Sequence, residues 1–184
     1  MSLYLIESVF GDSERNEQSL KTSLARLEQE AGAAGVRIVE VQVARDFGRS
    51  FLILEAGEGR EGAPVEAVFE RAGVPVALLK PVRLVGSELE AVKRQPDGID
   101  YLVEWNIPED LTMEQYLERK KRNSVHYAEV PEVTFSRTYV CEDMSKCLCF
   151  YRAPDEAAVV RARNAVQTPI DAITALQSKP SRVD

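Results

Sequence analysis

Tyr4-Leu-Ile-Glu7 returns 97 positions later as Tyr101-Leu-Val-Glu104. The offset then holds without a gap for 53 positions, from Tyr4/Tyr101 to Ala56/Ala153. Eleven of those pairs are identical, among them Leu5/Leu102, Glu7/Glu104, Leu20/Leu117, Val43/Val140 and Asp46/Asp143. The period is longer than the roughly 20–50 residues of a solenoid repeat and has the size of a small domain. The pattern predicts one small fold, duplicated and fused.

Each half reads strand, helix, strand, strand, helix, strand. In the first half a strand over Tyr4–Phe10 precedes a helix in which Leu20, Leu24, Leu27 and Ala31 keep helical spacing. Gly32 and Gly35 suit its end. Val36–Arg45 and Ser50–Ala56 are β-rich runs around the turn signal Asp46-Phe-Gly-Arg49. The glycine-rich Gly57–Gly62 leads to a second helix near Val65–Ala72, and Ala77–Val85 supplies the last strand. In the second half Tyr101–Ile107 is followed by Thr112-Met-Glu-Gln115, a capping-box pattern, and by a helix to about Tyr127. Val133–Glu142 and Lys146–Arg152 form the hairpin, Pro154-Asp-Glu156 starts the second helix, and Ile170–Leu176 closes the unit. The domain plan is therefore 1–86 and 99–176, joined by a linker over 87–98 and ending in a frayed tail over 177–184.

The order βαββαβ is that of the ferredoxin-like α+β fold, an antiparallel sheet with both helices on one face. The other face must be covered or polar. Two units in one chain can cover each other, which predicts a single-chain, pseudo-dimeric version of the dimeric α/β barrel. The alternative is two ferredoxin-like domains side by side, each with an open face in water.

Strand alternation assigns the faces. Val39, Val41 and Val43, with Ser50, Leu52 and Leu54 across the hairpin, read as helix-facing, as do Tyr4, Ile6 and Phe10. Leu5, Glu7, Val9, Ile38, Glu40, Gln42, Phe51, Ile53 and Glu55 fall on the opposite face. The same parity puts Leu102, Glu104, Asn106, Phe135, Arg137, Tyr139, Cys141, Leu148, Phe150 and Arg152 on the open face of the second half. At two matched positions the first half is acidic (Glu40, Glu55) and the second basic (Arg137, Arg152). Facing sheets would let these charges pair. The candidate ligand site between the sheets is therefore Glu7, Glu40, Glu55, Glu104, Arg137, Tyr139 and Arg152. Polar groups in an apolar enclosure mark places where small ligands bind. A fixed salt-bridge network or a solvated face is the plainer reading of the same residues.

Composition narrows the class. Hydrophobic residues make up 45% and charged residues 29%, as in a globular domain. A net charge of −7 argues against nucleic acid or an anionic membrane as partner. No run approaches the roughly 20 apolar residues of a membrane span. The amino terminus lacks a basic region and reads as a strand, so a cytoplasmic home is expected. Cys141, Cys147 and Cys149 have the spacing C-x5-C-x-C. A hairpin pairing Cys141 with Leu148 puts Cys141 on the face opposite the other two, so they do not converge on a tetrahedral metal. They read as small buried hydrophobes. His126 is the only histidine and is expected on the surface, near a helix end. Glu118-Arg-Lys-Lys-Arg122 reads as a solvated helix face, or as a landing place for an acidic protein. Gly57–Gly62 lacks the lysine of a phosphate loop. No metal and no cofactor is expected.

Tyr101-Leu-Val-Glu104, Thr138-Tyr-Val-Cys-Glu-Asp143 and Cys149-Phe-Tyr-Arg-Ala-Pro-Asp-Glu156, followed by Thr168-Pro169-Ile170, make the second half resemble a family of small bacterial ferredoxin-like proteins that includes a nickel-binding protein. The resemblance covers about 75 residues. It implies the ferredoxin-like fold and, for the nickel-binding member, a homodimer of single units with histidine ligands. The regions matched to those histidines, Leu117–Lys121 and Arg161–Val166, contain none here. Imidazole-preferring metals need imidazoles. The chain therefore looks like a fused, metal-free relative.

Three functional classes follow. The first is a non-catalytic small-molecule-binding or accessory protein, acting as a monomer or weak homo-oligomer. The second is a cofactor-free α/β-barrel enzyme of monooxygenase or isomerase type. The third is a structural or interaction module.

Overall fold

The computed structural model describes residues 1–57, 62–94 and 98–177. In the first part of the chain, strand β1 (Ser2–Val9) leads to helix α1 (Glu17–Ala34). Asn16 starts α1 by accepting from the Ser19 backbone N–H at 2.8 Å, satisfying an otherwise unpaired amide. Gly35 stops it in the left-handed region, φ 67°, where a side chain would be strained. Strands β2 (Arg37–Val43) and β3 (Arg49–Ala56) form a hairpin, followed by helix α2 (Ala63–Ala72) and strand β4 (Leu78–Val85). The segment read as a linker carries a short helix, α3 (Leu89–Arg94), with Val92 buried. Strand β5 (Tyr101–Asn106), helix α4 (Met113–Asn123), strands β6 (Thr134–Cys141) and β7 (Lys146–Arg152), helix α5 (Glu156–Ala165) and strand β8 (Ala172–Ala175) repeat the order. The capping box at α4 is formed: Gln115 N donates to Thr112 Oγ1 at 3.2 Å, and Thr112 N to Gln115 Oε1 at 3.0 Å. Residues 58–61 of the glycine-rich loop and 178–184 of the tail lie outside the described residues.

The chain divides into two units, one holding Met1–Val82 with most of α3, the other Arg83–Leu89 with the chain from residue 98. Strand order in the first is β2-β3-β1-β4 and in the second β6-β7-β5-β8, with antiparallel pairing. Each is an α+β, ferredoxin-like unit. One core lies between sheet and helices in each. The first gathers Tyr4, Ile6, Phe10, Leu20, Leu24, Leu27, Leu52, Leu54, Val65, Val68 and Phe69. The second gathers Tyr101, Val103, Trp105, Tyr116, Val140, Cys147, Cys149, Tyr151, Val159 and Ala162.

Internal devices recur at the 97-residue offset. Tyr4 pairs with Leu54 and Tyr101 with Tyr151, the same register. A bulge inserts Val39 between the Ile38/Leu54 and Glu40/Ile53 pairs, and another inserts Ser136 between Phe135/Tyr151 and Arg137/Phe150. At the hairpin turns Phe47 (φ 59°) and Met144 (φ 60°) adopt the left-handed conformation. That conformation costs a non-glycine residue about 1–2 kcal/mol. Both side chains pack against their unit's core, which offsets the cost. Asp46 Oδ1 accepts from Gly48 N at 2.8 Å and Asp143 Oδ1 from Ser145 N at 3.0 Å, holding both turns.

The bulges correct the face assignment upstream of them. An extra residue reverses side-chain alternation. Ile38, not Val39, therefore packs on the first core, and Phe135 belongs to the helix side, stacked on Tyr127 at 5.3 Å. The second hairpin is also two residues out from the expected pairing: Tyr139 opposes Leu148 and Val140 opposes Cys147. A shift of two keeps parity, so Cys147 and Cys149 still share the helix side while Cys141 is buried outside that core.

Leu27 is 1% exposed in the first core, whereas Val9, on the same unit, is 49% exposed. Leu27→Ala is expected to cost about 2–5 kcal/mol in denaturant unfolding. Val9→Ala is expected to stay within about 0.5 kcal/mol.

Candidate functional site

The sheet faces turned away from α1 and α2 and from α4 and α5 carry charge that is nonetheless buried. In the first unit Glu7 and Glu55 are 5% exposed and Glu40 is 7%. Each has a partner within its own unit. Arg49 Nη2 donates to Glu7 Oε2 at 3.0 Å, Lys93 Nζ of α3 to Glu55 Oε2 at 2.8 Å, and Gln42 Nε2 to Glu40 Oε1 at 2.8 Å. In the second unit Lys146 Nζ donates to Glu104 Oε1 at 3.0 Å. Glu7–Arg49 and Glu104–Lys146 are the same pair at the 97-residue offset. Arg137, 4% exposed, donates to Ser136 Oγ at 2.7 Å and lies over the Phe150 ring at 5.5 Å. Tyr139 is fully buried and meets Phe150 edge-on at 5.6 Å. Arg152 is half-buried on the same strand face as Phe150. Within the second unit, then, Arg137, Tyr139 and Phe150 cluster, and Glu104 pairs with Lys146 nearby along the sheet.

A second constellation, which strand parity did not reveal, lies on the helix side of the second unit. Arg163 of α5 is 1% exposed. Its Nη1 donates to Cys149 Sγ at 3.3 Å and Tyr151 Oη at 3.2 Å, and its Nη2 to the Pro169 carbonyl at 2.5 Å. Its Nε is buried without a partner. Thr138 Oγ1 donates to Cys149 Sγ at 3.2 Å, and Lys120 Nζ donates to Thr138 Oγ1 at 3.0 Å. Lys120 also lies over Phe135 at 4.2 Å, and Arg119 over Trp105 at 5.4 Å. So half of the basic run on α4 is turned inward rather than solvated. Tyr127 and Tyr151 share a hydroxyl hydrogen bond of 2.7 Å. A recess of about 20 Å³, room for one water-sized molecule, is bordered by Trp105, Tyr116, Lys120, Asn123, Cys149 and Arg163, among others.

The electrostatics follow from these contacts. The Cys147 thiol donating to it, with Lys120, Arg163 and Thr138 adding to that effect against the cost of burial, holds the Cys149 thiol well below the usual thiol range. Cys147, as the donor to Cys149 and buried, is pushed up. Burial raises Tyr116, Tyr127 and Tyr151 as well. The motif spacing hid this cluster because Arg163 and Lys120 come from helices on which their sequence positions look unremarkable. The one legible signal was the shared parity of Cys147 and Cys149.

Residues 101–176 match the SCO4226-like family of nickel-responsive proteins. The match lies within the second unit. No curated protein sequence matches the chain. Among solved structures, a proposed chlorite dismutase superposes with a TM-score of 0.59 at 13% identity, covering 96% of this chain and 95% of that one. A proposed monooxygenase from Fusobacterium nucleatum gives 0.49 at 8% identity, covering 98% and 92%. The first likeness extends the fold assignment over nearly the whole chain and says nothing of activity.

The donor set for nickel does not fit the residues present. Among the described residues no group of three or more His, Cys, Asp or Glu side chains could hold a metal ion. His126 is exposed and its Nδ1 contacts Glu129 Oε1 at 2.7 Å. Cys149 accepts from the Arg163 cation, which opposes a second cation at its sulfur. No helix among the described residues is long and apolar enough to cross a membrane.

A depressed thiol makes stability depend on pH. Below its folded pKa Cys149 is protonated in both states and contributes nothing. Between that value and the unfolded value near 8.5 the unfolded chain binds the extra proton, so stability rises with pH. Above about 8.5 the raised Cys147 reverses the trend. Unfolding free energy measured across this window should climb toward about pH 8.5 in the wild type. In Cys149→Ala the climb should flatten.

Proposed function

We propose that this chain is a non-catalytic small-molecule-binding protein, made of one ferredoxin-like unit duplicated and fused. The observation that carries the binding reading is the burial of opposite charges beside aromatic side chains on the helix-free face of the second unit. Arg137 and Glu104 are 4% and 7% exposed there, with Tyr139 and Phe150 between strands. Burying such groups is costly unless they are paired or serve a ligand. Arg137 supplies a planar donor fork suited to a carboxylate or phosphate. Tyr139 supplies a hydroxyl, and Glu104 and Arg152 complete the polar set of this face. The ligand is therefore small, polar and at least partly anionic. The duplication is supported by the recurrence, 97 positions apart, of bulge, turn, register and ion pair. Cytoplasmic residence is part of the proposal, since the three cysteines are reduced and buried.

A thermal-shift panel of small carboxylates and phosphate esters tests this. A ligand at a hundredfold excess over its Kd stabilises by about 2.7 kcal/mol, a rise of roughly 5–10 °C for a chain of this size. Arg137→Gln and Tyr139→Phe are expected to remove most of that rise. A shift that persists unchanged in both variants would place the ligand elsewhere. A loss below about 1 kcal/mol for Arg137→Ala in the apo protein would identify a solvated charge instead of a binding group.

A further inference from the structure

The Arg163 guanidinium is a charge in need of a counterion. It is 1% exposed, and among the described residues no carboxylate pairs with it. An isolated buried cation is among the costliest groups a fold can contain. Two ionisable atoms lie in reach of its Nη1, Tyr151 Oη at 3.2 Å and Cys149 Sγ at 3.3 Å, and burial keeps the tyrosine protonated. Hydrogen-bond direction gives the sulfur's role. Lys120 is a donor only, so the Thr138 oxygen accepts from it and the Thr138 hydrogen is left to point at Cys149. Arg163 is likewise a donor only. The sulfur thus accepts from two sides, with two cations behind its donors. That is the environment of a thiolate.

The sulfur also borders the recess of about 20 Å³. The guanidinium of Arg163, which borders the recess with Cys149, keeps its Nε buried and without a hydrogen-bond partner. A recess with room for one water-sized molecule shuts out bulky thiol reagents, and hydrogen peroxide is among the smallest two-electron oxidants. Buried cysteines are ordinarily inert. Cys149, itself 1% exposed, differs by its charge partners and by the recess it borders.

We propose that Cys149 is an oxidation site selective for hydrogen peroxide, on the sheet face opposite the proposed ligand site and independent of it. The thiolate sulfur attacks one peroxide oxygen. The S–O bond forms, the O–O bond breaks, and hydroxide leaves and takes a proton from solvent to become water. The sulfur loses two electrons and becomes a sulfenic acid, while the peroxide oxygens gain them. Arg163 and Lys120 are positioning residues that hold the sulfur anionic. Cys147 lies two positions along the same strand, about 6.6–6.8 Å away, at the far edge of what a disulfide spans, and β7 is held between two neighbours, so the sulfenic acid is the product the test reads.

At pH 7 an ordinary thiol is only a few per cent thiolate, so full ionisation, tempered by lower nucleophilicity, gives an advantage of about tenfold. Folded protein treated with hydrogen peroxide, quenched, then unfolded into a sulfenic-acid trap and fragmented for mass spectrometry reads each cysteine separately. Cys149 is expected to gain oxygen about tenfold faster than Cys141 or Cys147. Iodoacetamide should label none of the three until the protein unfolds. The oxidation rate should titrate below the usual thiol pKa, since Lys120, Arg163, Cys147, Tyr116, Tyr127 and Tyr151 are the titratable groups facing the sulfur. Lys120→Gln, at a part-buried position on α4, should move that titration upward, a change a purely structural residue would not cause. Equal oxidation of the three cysteines, oxidation only on unfolding, or a pH profile unmoved by Lys120→Gln would each overturn the proposal.

Discussion

Register in the β2–β3 and β6–β7 hairpins is the constraint on which the rest of each unit depends. Side chains alternate along a strand, so a slip of one residue exchanges the two faces of a sheet. The turns at Phe47 and Met144 prevent that slip. Each combines a left-handed residue, whose side chain is drawn into the core, with an aspartate that holds the next amide but one. The bulges at Val39 and Ser136 then reverse the alternation once more near the strand start. The outcome is an apolar face for the helices and a mixed, charged face on the other side.

That division decides which chemistry each face can hold. On the face away from the core helices, carboxylates meet lysine or arginine at about 3 Å and remain buried. These are strong local pairs, and breaking one is more damaging than never having it. On the helix side the second unit departs from an ordinary apolar core. Arg163, Lys120, Thr138 and the tyrosine pair surround two thiols, where the first unit packs leucine, valine and phenylalanine. The two units thus differ in kind: a largely apolar core in the first and a core with polar and cationic groups in the second.

The likeness to nickel-responsive proteins fits this picture at the level of the fold of residues 101–176. Its chemistry does not follow, because the donors that a nickel ion would require are not gathered anywhere among the described residues. What the second unit gathers instead is cationic: Arg119, Lys120 and Arg163 turned toward one recess. Cations there favour an anion, and the nearest anion available is the Cys149 sulfur.

From the chain alone came the repeat, the βαββαβ order, the α4 capping box and most of the face assignments. All of these are local: they depend on spacing along one segment, and backbone geometry turns spacing directly into direction. The placement of the polar residues Glu7, Glu40, Glu55, Glu104, Arg137 and Tyr139 outside the two cores was legible for the same reason. Phe135 and Val39 were misread because a bulge leaves no mark in alternation until a partner strand is present to count against. Arg163 and Lys120 were not legible at all, since a basic residue on a helix is ordinarily a solvated one. Only tertiary packing brought them over Cys149, from two different helices onto one strand. Whether a cysteine is inert or ionised depends on charges within a few ångströms, and those distances are set by packing, not by sequence separation.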